Sequence, residues 1–397
     1  MNAQGKDRVV LLDGARTPVG RFLGALKDVP AHELGGTATR AALSRADVAP
    51  NQIGEVVMGC IGQVGKDAFN ARRVAFAADI PSEVPSYTVN RLCGSGLQAV
   101  WSAAMQLREG EIDFAVAGGD ESMSRMPFYD FDARDGRKLG DRALHDGTLM
   151  MLTDPFRDIP MGVTAENVAA KYDVSREAQD QFAAESQRRA TTADAQAAFA
   201  DEIVPVQTAG RRPSLVVLDE HPRPETTVES LAALRPSFDR SGTVTAGNSS
   251  GINDGAAAVV LAREEVARRR GHERGLVALE AVATAAIKPE LMGYAPVLAL
   301  QRLFTQTGTA PNDVDVIELN EAFAAQAVAV IRGAGLPEDR TNPYGGAIAL
   351  GHPVGATGAI LAVRVMKDLI RRDGELGIVT MCIGGGQALA ALLRRLN

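Results

Sequence analysis

The chain has 397 residues, 46% hydrophobic and 23% charged, with 42 basic against 49 acidic side chains and a formal net charge of −7. This is the profile of a soluble globular chain long enough for roughly two to three domains, and it excludes a disordered, collagen-like or strongly basic nucleic-acid-binding protein. No apolar run reaches the length of a membrane span, residues 1–8 lack a signal-peptide pattern and the last residues form no peroxisomal address, so no membrane partner and a cytoplasmic location are expected.

Short apolar runs alternate with helical stretches along the chain. A strand is predicted at 8–12, a helix at 31–46, a strand at 55–58, a helix at 96–108 and a strand at 114–117. Helices follow at 164–172 and 176–198, then strands at 256–261 and 277–283, a helix at 295–306, a strand at 316–319, a helix at 321–331, a helix at 358–371 and a strand at 377–381. Most of these strands are nearly continuous apolar runs, as in sheets buried on both faces, and the alternation predicts a layered α/β fold.

An internal repeat organises the pattern. Ala49-Pro50-Asn51-Gln52-Ile53 before one strand resembles Ala310-Pro311-Asn312-Asp313-Val314 before another. Asn90-Arg91-Leu92-Cys93-Gly94-Ser95-Gly96 matches His352-Pro353-Val354-Gly355-Ala356-Thr357-Gly358, each feeding a helix that ends near Gly110 or Gly374. Each helix is followed by a strand closing on glycines, Gly118-Gly119 or Gly384-Gly385-Gly386. Order and spacing agree across both halves, which predicts two similar α/β halves face to face with a site between them. The predicted boundaries are 1–120 with 247–275 for the first half, 276–397 for the second, and 121–246 for an inserted loop region that forms a lid or ligand wall.

The residues that carry chemistry gather at that junction. There are three cysteines, Cys60, Cys93 and Cys382, and no CxxC, HExxH or HxH spacing, so neither a metal site nor a disulfide framework is expected. Cys93 precedes a predicted helix, whose positive end lowers a thiol pKa. It suits a nucleophile, and it also suits a small residue packed at a helix start. His352, held between Gly351 and Pro353, suits either a base for a thiol or a turn histidine bonded to backbone. Cys382 closes a strand before a glycine run whose N–H groups can hold an oxyanion. Asn320 suits either a helix cap or a group that orients a water or carbonyl. His32, His145, His221 and His272 lie in polar, exposed-looking settings and are given no role. Two cysteines and a histidine at one junction fit acyl transfer, one thiol taking the acyl group and the other moving a proton at carbon.

Asn90-Arg91-Leu92-Cys93-Gly94-Ser95-Gly96, Asn320-Glu321-Ala322-Phe323, Gly351-His352-Pro353, Cys382-Ile383-Gly384-Gly385-Gly386 and Gly242-Thr243-Val244-Thr245-Ala246-Gly247-Asn248 stand in the order of the thiolase family, which the chain resembles over nearly its whole length. The resemblance implies a five-layered αβαβα fold of two similar halves with an inserted loop domain. It implies reversible Claisen condensation of acetyl-CoA with acyl-CoA, and thiolysis of 3-ketoacyl-CoA, with coenzyme A as substrate or product and no metal or redox cofactor. In it Cys93 is the acylated nucleophile, His352 its activator and Cys382 the proton-transfer group. Asn320 (through a water) and His352 form one oxyanion hole, and the N–H groups of Cys93 and Gly384 the other. Arg223 matches the arginine near the nucleotide phosphates, Ser230, Ser250 and Leu152 match further coenzyme A contacts, and Met161 and Phe323 shape the acyl pocket. The family forms dimers, or tetramers built from dimers, so a homo-oligomer acting in fatty-acid metabolism is implied.

Pro160-Met161-Gly162 departs from the short-chain pattern, which has histidine before Met-Gly, and resembles members acting on longer chains, which can have proline there, whereas bulk at Tyr294 and Tyr344 would narrow the acyl pocket. Chain-length preference therefore stays open. The alternatives are a ketoacyl synthase-like condensing enzyme, which typically lacks a cysteine placed as Cys382 is, and a non-catalytic acyl-CoA-binding relative, against which the four intact reactive positions argue.

Overall fold

The computed structural model describes residues 8–136, 138–209, 213–273 and 275–396. The first half contributes strands β1 (Val9–Arg16), β2 (Glu55–Gly59), β3 (Ser86–Val89), β4 (Phe114–Ser122) and β5 (Asn253–Arg263), and the second β6 (Val277–Ala286), β7 (Val316–Leu319), β8 (Leu376–Ile383) and β9 (Gln387–Arg395). They lie in the order β3-β2-β4-β5-β1 and β7-β8-β9-β6. In each half the strands β2, β3 and β4, or β7 and β8, pair in parallel, and the remaining pairs are antiparallel. Among the described residues the two sheets meet edge to edge through Val10 with Ala278 and Leu11 with Val277.

The longer helices are α1 (Ala31–Arg45), α2 (Asn70–Ala77), α3 (Ser95–Glu109), α4 (Met161–Lys171), α5 (Arg176–Ala190), α6 (Ala193–Glu202), α7 (Ala295–Thr307), α8 (Ala324–Ala334) and α9 (Thr357–Arg371). Helices α3 and α9 form the middle layer. Leu97, Val100 and Leu107 of α3 and Ile360, Val363 and Met366 of α9 pack on the inner faces of both sheets, at Val57, Val259 and Val379. On the outside, Leu34 and Val74 of α1 and α2 cover Val56, Val116 and Val260 of the first half. Leu300 and Val330 of α7 and α8 cover Ile317, Ile378 and Leu392 of the second. The result is α-β-α-β-α, and it explains the unbroken apolar runs. Along β4, Ala115 and Ala117 face the middle helices while Phe114 and Val116 face the outer ones, so both sides of a two-residue period must be apolar.

The repeat is visible in detail. Short 3₁₀ turns at Pro50–Gln52 and Pro311–Asp313 precede β2 and β7, and α3 and α9 start from the matched segments. The halves differ at one point. In the second, β8 turns into β9 through Gly384, Gly385 and Gly386, whereas in the first the chain leaves β4 after Ser122 and returns in β5 at Asn253.

Several elements differ from expectation. The single helix predicted at 176–198 is two, because the Thr192 hydroxyl accepts the Ala195 N–H (3.2 Å) and starts a new helix. The helix predicted at 321–331 begins at Ala324, so Asn320 does not cap it. Strands β3 and β9 and helix α2 were not anticipated. No helix among the described residues is long and apolar enough to cross a membrane.

Candidate active site

The turn between β3 and α3 presents Cys93. Leu92 takes a left-handed conformation (φ 48°), its N–H donating to Asn90 Oδ1 (3.1 Å). The Ser95 hydroxyl accepts the Arg91 N–H (2.8 Å) and donates to the Leu92 carbonyl (2.7 Å). Gly94 lets this turn close, since a Cβ there would stand 2.6 Å from Ile383 Cδ1.

The matched turn of the second half presents His352. Thr357, the equivalent of Ser95, donates its hydroxyl hydrogen to the Pro353 carbonyl (3.0 Å), and its oxygen lies 2.7 Å from His352 Nδ1. With the one hydroxyl hydrogen on the Pro353 carbonyl, Nδ1 donates in that contact and Nε2 is the unprotonated nitrogen; with that hydrogen on Nδ1 the roles reverse. Nε2 is buried and has no hydrogen-bond partner among the described residues. Burial drives the His352 pKa down to about 4, which keeps the ring neutral.

Cys93, His352, Cys382 and Gly384 line one cavity of ≈ 60 Å³, walled by Ile61, Met151, Met161, Met292, Phe323 and Val354. It opens into a cleft of ≈ 860 Å³, and Leu152, Met161, Ser250 and Phe323 line both. Arg223 and Ser230 line the cleft. The Arg223 N–H donates to Gln187 Oε1 (2.8 Å), while Ser230 is engaged in a local cap with Thr227. Asn320 is buried and does not line the cavity. Its N–H donates to the Thr380 carbonyl (3.0 Å), and neither polar atom of its buried carboxamide has a partner among the described residues.

The electrostatics correct one expectation. Cys93 lies one residue outside the cap of α3, and burial pushes its thiol up to about 11, against the N–H groups of Gly384 and of Cys93 itself, which pull it down. Burial raises the Cys382 thiol too, and a charge on Cys93 raises it further. Desolvation thus outweighs the helix terminus, and the resting pair is a thiol beside a neutral imidazole.

Motif reading missed the groups that hold these segments. Asn342, itself left-handed (φ 48°), brackets Leu319 with hydrogen bonds to its N–H and its carbonyl (2.8 Å each) and donates to Glu321 (2.7 Å). Glu321 also accepts from Ser186 Oγ (2.7 Å) and the Ile348 N–H (3.2 Å). Asn253 Oδ1 accepts the His352 N–H (2.9 Å). Asn342-Pro343 stands in the sequence as a turn signal, but nothing there shows that it clamps the strand carrying Asn320.

Comparison with known proteins decides the family. The family model for the thiolase N-terminal domain matches residues 9–265 and that for the thiolase C-terminal domain residues 274–395. The chain belongs to the thiolase family of acyltransferases. It is 47% identical over 391 residues to beta-ketothiolase BktB of Cupriavidus necator, covering 98% of this chain and 99% of that one. The crystal structure of the Bacillus anthracis acetyl-CoA acetyltransferase superposes with a TM-score of 0.96 at 38% identity, covering 99% and 100% of the two chains. Human mitochondrial 3-ketoacyl-CoA thiolase in complex with CoA superposes with a TM-score of 0.94 at 38% identity, covering 98% of each.

Two expected pocket-narrowing residues in this thiolase do not reach the pocket. Tyr294 stacks on Tyr172 with ring centroids 3.7 Å apart, and Tyr344 is buried against Phe199 and beneath the guanidinium of Arg372. Neither lines the cavity or the cleft. His221 and His32 are not the exposed residues expected. His32 is buried, and His221 lines the cleft with burial pushing its pKa down to about 4. Among the described residues, no three His, Cys, Asp or Glu side chains converge as a metal ion needs.

Proposed function

We propose that this thiolase cleaves and forms short 3-ketoacyl-CoA thioesters through an acyl group carried on Cys93. The observation that carries the reading is the convergence of Cys93, His352, Cys382 and Gly384 on one small cavity that opens into a large cleft.

In thiolysis, the Cys93 sulfur bonds to C3 of the 3-ketoacyl-CoA as its proton passes to His352 Nε2, the free ring nitrogen. The C2–C3 bond breaks, and its electron pair goes to the enolate of acetyl-CoA, whose α-carbon takes the proton of Cys382. The thiol of a second coenzyme A then attacks the acyl-Cys93 carbonyl and gives its proton to the Cys382 thiolate, while His352 returns its proton to Cys93. The N–H groups of Cys93 and Gly384 stabilise the oxyanion on the acyl carbon, and their pull on the Cys93 sulfur supports that placement. His352 and the unpartnered Asn320 carboxamide, through a water, serve the thioester oxygen.

Coenzyme A occupies the cleft in this reading, with Arg223 toward its phosphates and Leu152, Ser230 and Ser250 along its length. The division into halves 1–120 with 247–275 and 276–397, with 121–246 inserted, belongs to the same proposal. So does a homo-oligomer, supported by Phe128, Phe131 and Leu139, which are 62%, 63% and 91% exposed.

The small volume of the cavity, ≈ 60 Å³, supports a short acyl chain. The test is thiolysis of acetoacetyl-CoA and of longer 3-ketoacyl-CoAs, followed as loss of enolate absorbance. We expect kcat/KM to be highest with four or five carbons and to fall about tenfold or more by eight, and Cys93→Ser to lose about 10³-fold. An inactive wild type or a fully active Cys93→Ser overturns the mechanism, and activity that rises with chain length overturns the short-chain assignment.

A further inference from the structure

The reacting pair spans the two halves, Cys93 from the first and His352 from the second, and among the described residues the sheets pair along their edges at two positions. The packed helices α3 and α9 and the Asn253 side chain of β5, which accepts the His352 N–H, already join the halves near the two turns, and one buried side chain joins the turns directly. That side chain is Glu121, 1% exposed near the end of β4. Its Oε1 accepts the Gly62 N–H (2.9 Å), and its Oε2 accepts both the Ile61 N–H (3.1 Å) and the Gly355 N–H (3.0 Å). Ile61 lines the catalytic cavity from the first half, and Gly355 follows Val354, which lines it from the second. One carboxyl group thus draws both cavity turns onto itself with three backbone hydrogen bonds, and the Cys60 thiol donates to its Oε1 as well (3.7 Å).

The glycines around it fit this seat. A Cβ at Gly62 would stand 2.8 Å from Glu121 Oε1, and one at Gly355 2.6 Å from Oε2. A Cβ at Gly119 would stand 2.2 Å from the Gly355 carbonyl. Among the described residues the His352 ring bonds to Thr357, inside its own turn, while its backbone N–H bonds to Asn253 of β5, so the ring goes where that turn is placed.

We infer that Glu121 is a positioning residue that locks the His352–Gly355 turn of one half to the Ile61–Gly62 turn of the other and so sets His352 against Cys93. The inference rests on the reading of Cys93 and His352 as the reacting pair.

Glu121→Gln keeps the shape but turns one acceptor oxygen into an NH₂ group that faces backbone N–H donors. Its kcat for acetoacetyl-CoA thiolysis is expected to fall about 10- to 100-fold, with KM for coenzyme A within about twofold. Alkylation of Cys93 by iodoacetamide, which reads proton removal by His352, slows in parallel. Unchanged kcat and alkylation, or a raised KM at constant kcat, overturn the inference. If the variant does not fold, hydrogen exchange in the wild type decides. Slow amides in peptides 60–63 and 352–357 support the clamp, and amides of Ile61, Gly62 and Gly355 that exchange as fast as an open loop overturn it. A wild type without thiolysis would sink the proposed function instead, and the alkylation and exchange results would still judge the clamp.

Discussion

At the scale of single residues, the site works by controlling where one proton can sit. In the proposed mechanism Thr357 places its only hydroxyl hydrogen on Pro353, so that His352 Nδ1 donates to Thr357 and Nε2 serves as the base. Thr357→Val keeps the shape and removes the acceptor. A lost hydrogen bond of this kind is worth about 1–2 kcal/mol, so kcat should drop roughly 5- to 30-fold with little change in KM for coenzyme A. Steady-state kinetics on acetoacetyl-CoA check this, and an unchanged kcat would show that the tautomer is set elsewhere. The sequence made Cys93, His352 and Cys382 legible because their short motifs sit at matched points of a repeat. It did not make their protonation legible. The pKa of Cys93 depends on how much protein lies over it, and that protein comes from Met151, Met292 and other positions far along the chain. Tyr294 and Tyr344 misled for the same reason, since proximity in sequence to site motifs says nothing about which way a ring turns.

At the scale of elements, the chain treats one structural position in two ways. The β8–β9 turn is three glycines, whereas the equivalent strands β4 and β5 are joined by the long excursion that carries Met161, Arg223 and Ser230. The tight turn puts Gly384 on the cavity wall, so its geometry matters to both folding and chemistry. Gly385 and Gly386 both have positive φ (78° and 81°). An added Cβ at Gly385 meets only Phe156 Cε2 at 3.5 Å, whereas one at Gly386 meets the Ile287 carbonyl at 2.2 Å. Gly385→Ala should therefore cost about 1–2 kcal/mol, the backbone term alone, and Gly386→Ala distinctly more. Urea midpoints of the two variants test the order, and equal losses would refute it. This scale also shows what pattern reading can and cannot supply. The buried strands were legible as apolar runs, but β9 (Gln387–Arg395) has the composition of a helix and is a strand because β6 and β8 flank it. Residues 176–198 read as one helix because nothing in their pattern forbids it. The break comes from a threonine hydroxyl competing for a backbone N–H.

At the scale of the whole molecule, a buried ion network ties the parts together and makes stability depend on pH. Arg16 on β1 pairs with Glu202 of α6 (2.7 Å) and with Asp219 (2.8 Å), while Arg364 of α9 reaches Glu202 (3.3 Å) and Glu318 of β7 (3.6 Å). Two guanidinium groups face three carboxylates. Burial opposes the charge of Glu202, but Arg364 and Arg16 outweigh it and hold its pKa below the usual range. Glu318 is the surplus acid, its oxygens without a hydrogen bond, and burial pushes it up to about 8 against the pull of Arg364. A carboxyl raised in the folded state contributes stability that is complete below its unfolded pKa, near 4.5, and is lost as pH rises toward the folded value. Asp120 and Glu121, which burial raises to about 8 and about 7, act in the same direction. His221 and His352 act oppositely, because their lowered pKa values withdraw stability as pH falls from about 6.5 toward 4. Glu318→Gln isolates one term. It removes a group that must ionise in the unfolded chain and resists doing so in the folded one, and the lost contact with Arg364 adds an offset. Relative to wild type, the variant should gain stability steadily from pH 5 to about 8 and then level off, a change of about 1 kcal/mol or more. Urea titrations of both proteins at half-unit steps from pH 5 to 9 read it directly. A difference that stays constant across that range would mean that Glu318 is already ionised in the fold, and that the network holds three carboxylate charges rather than two.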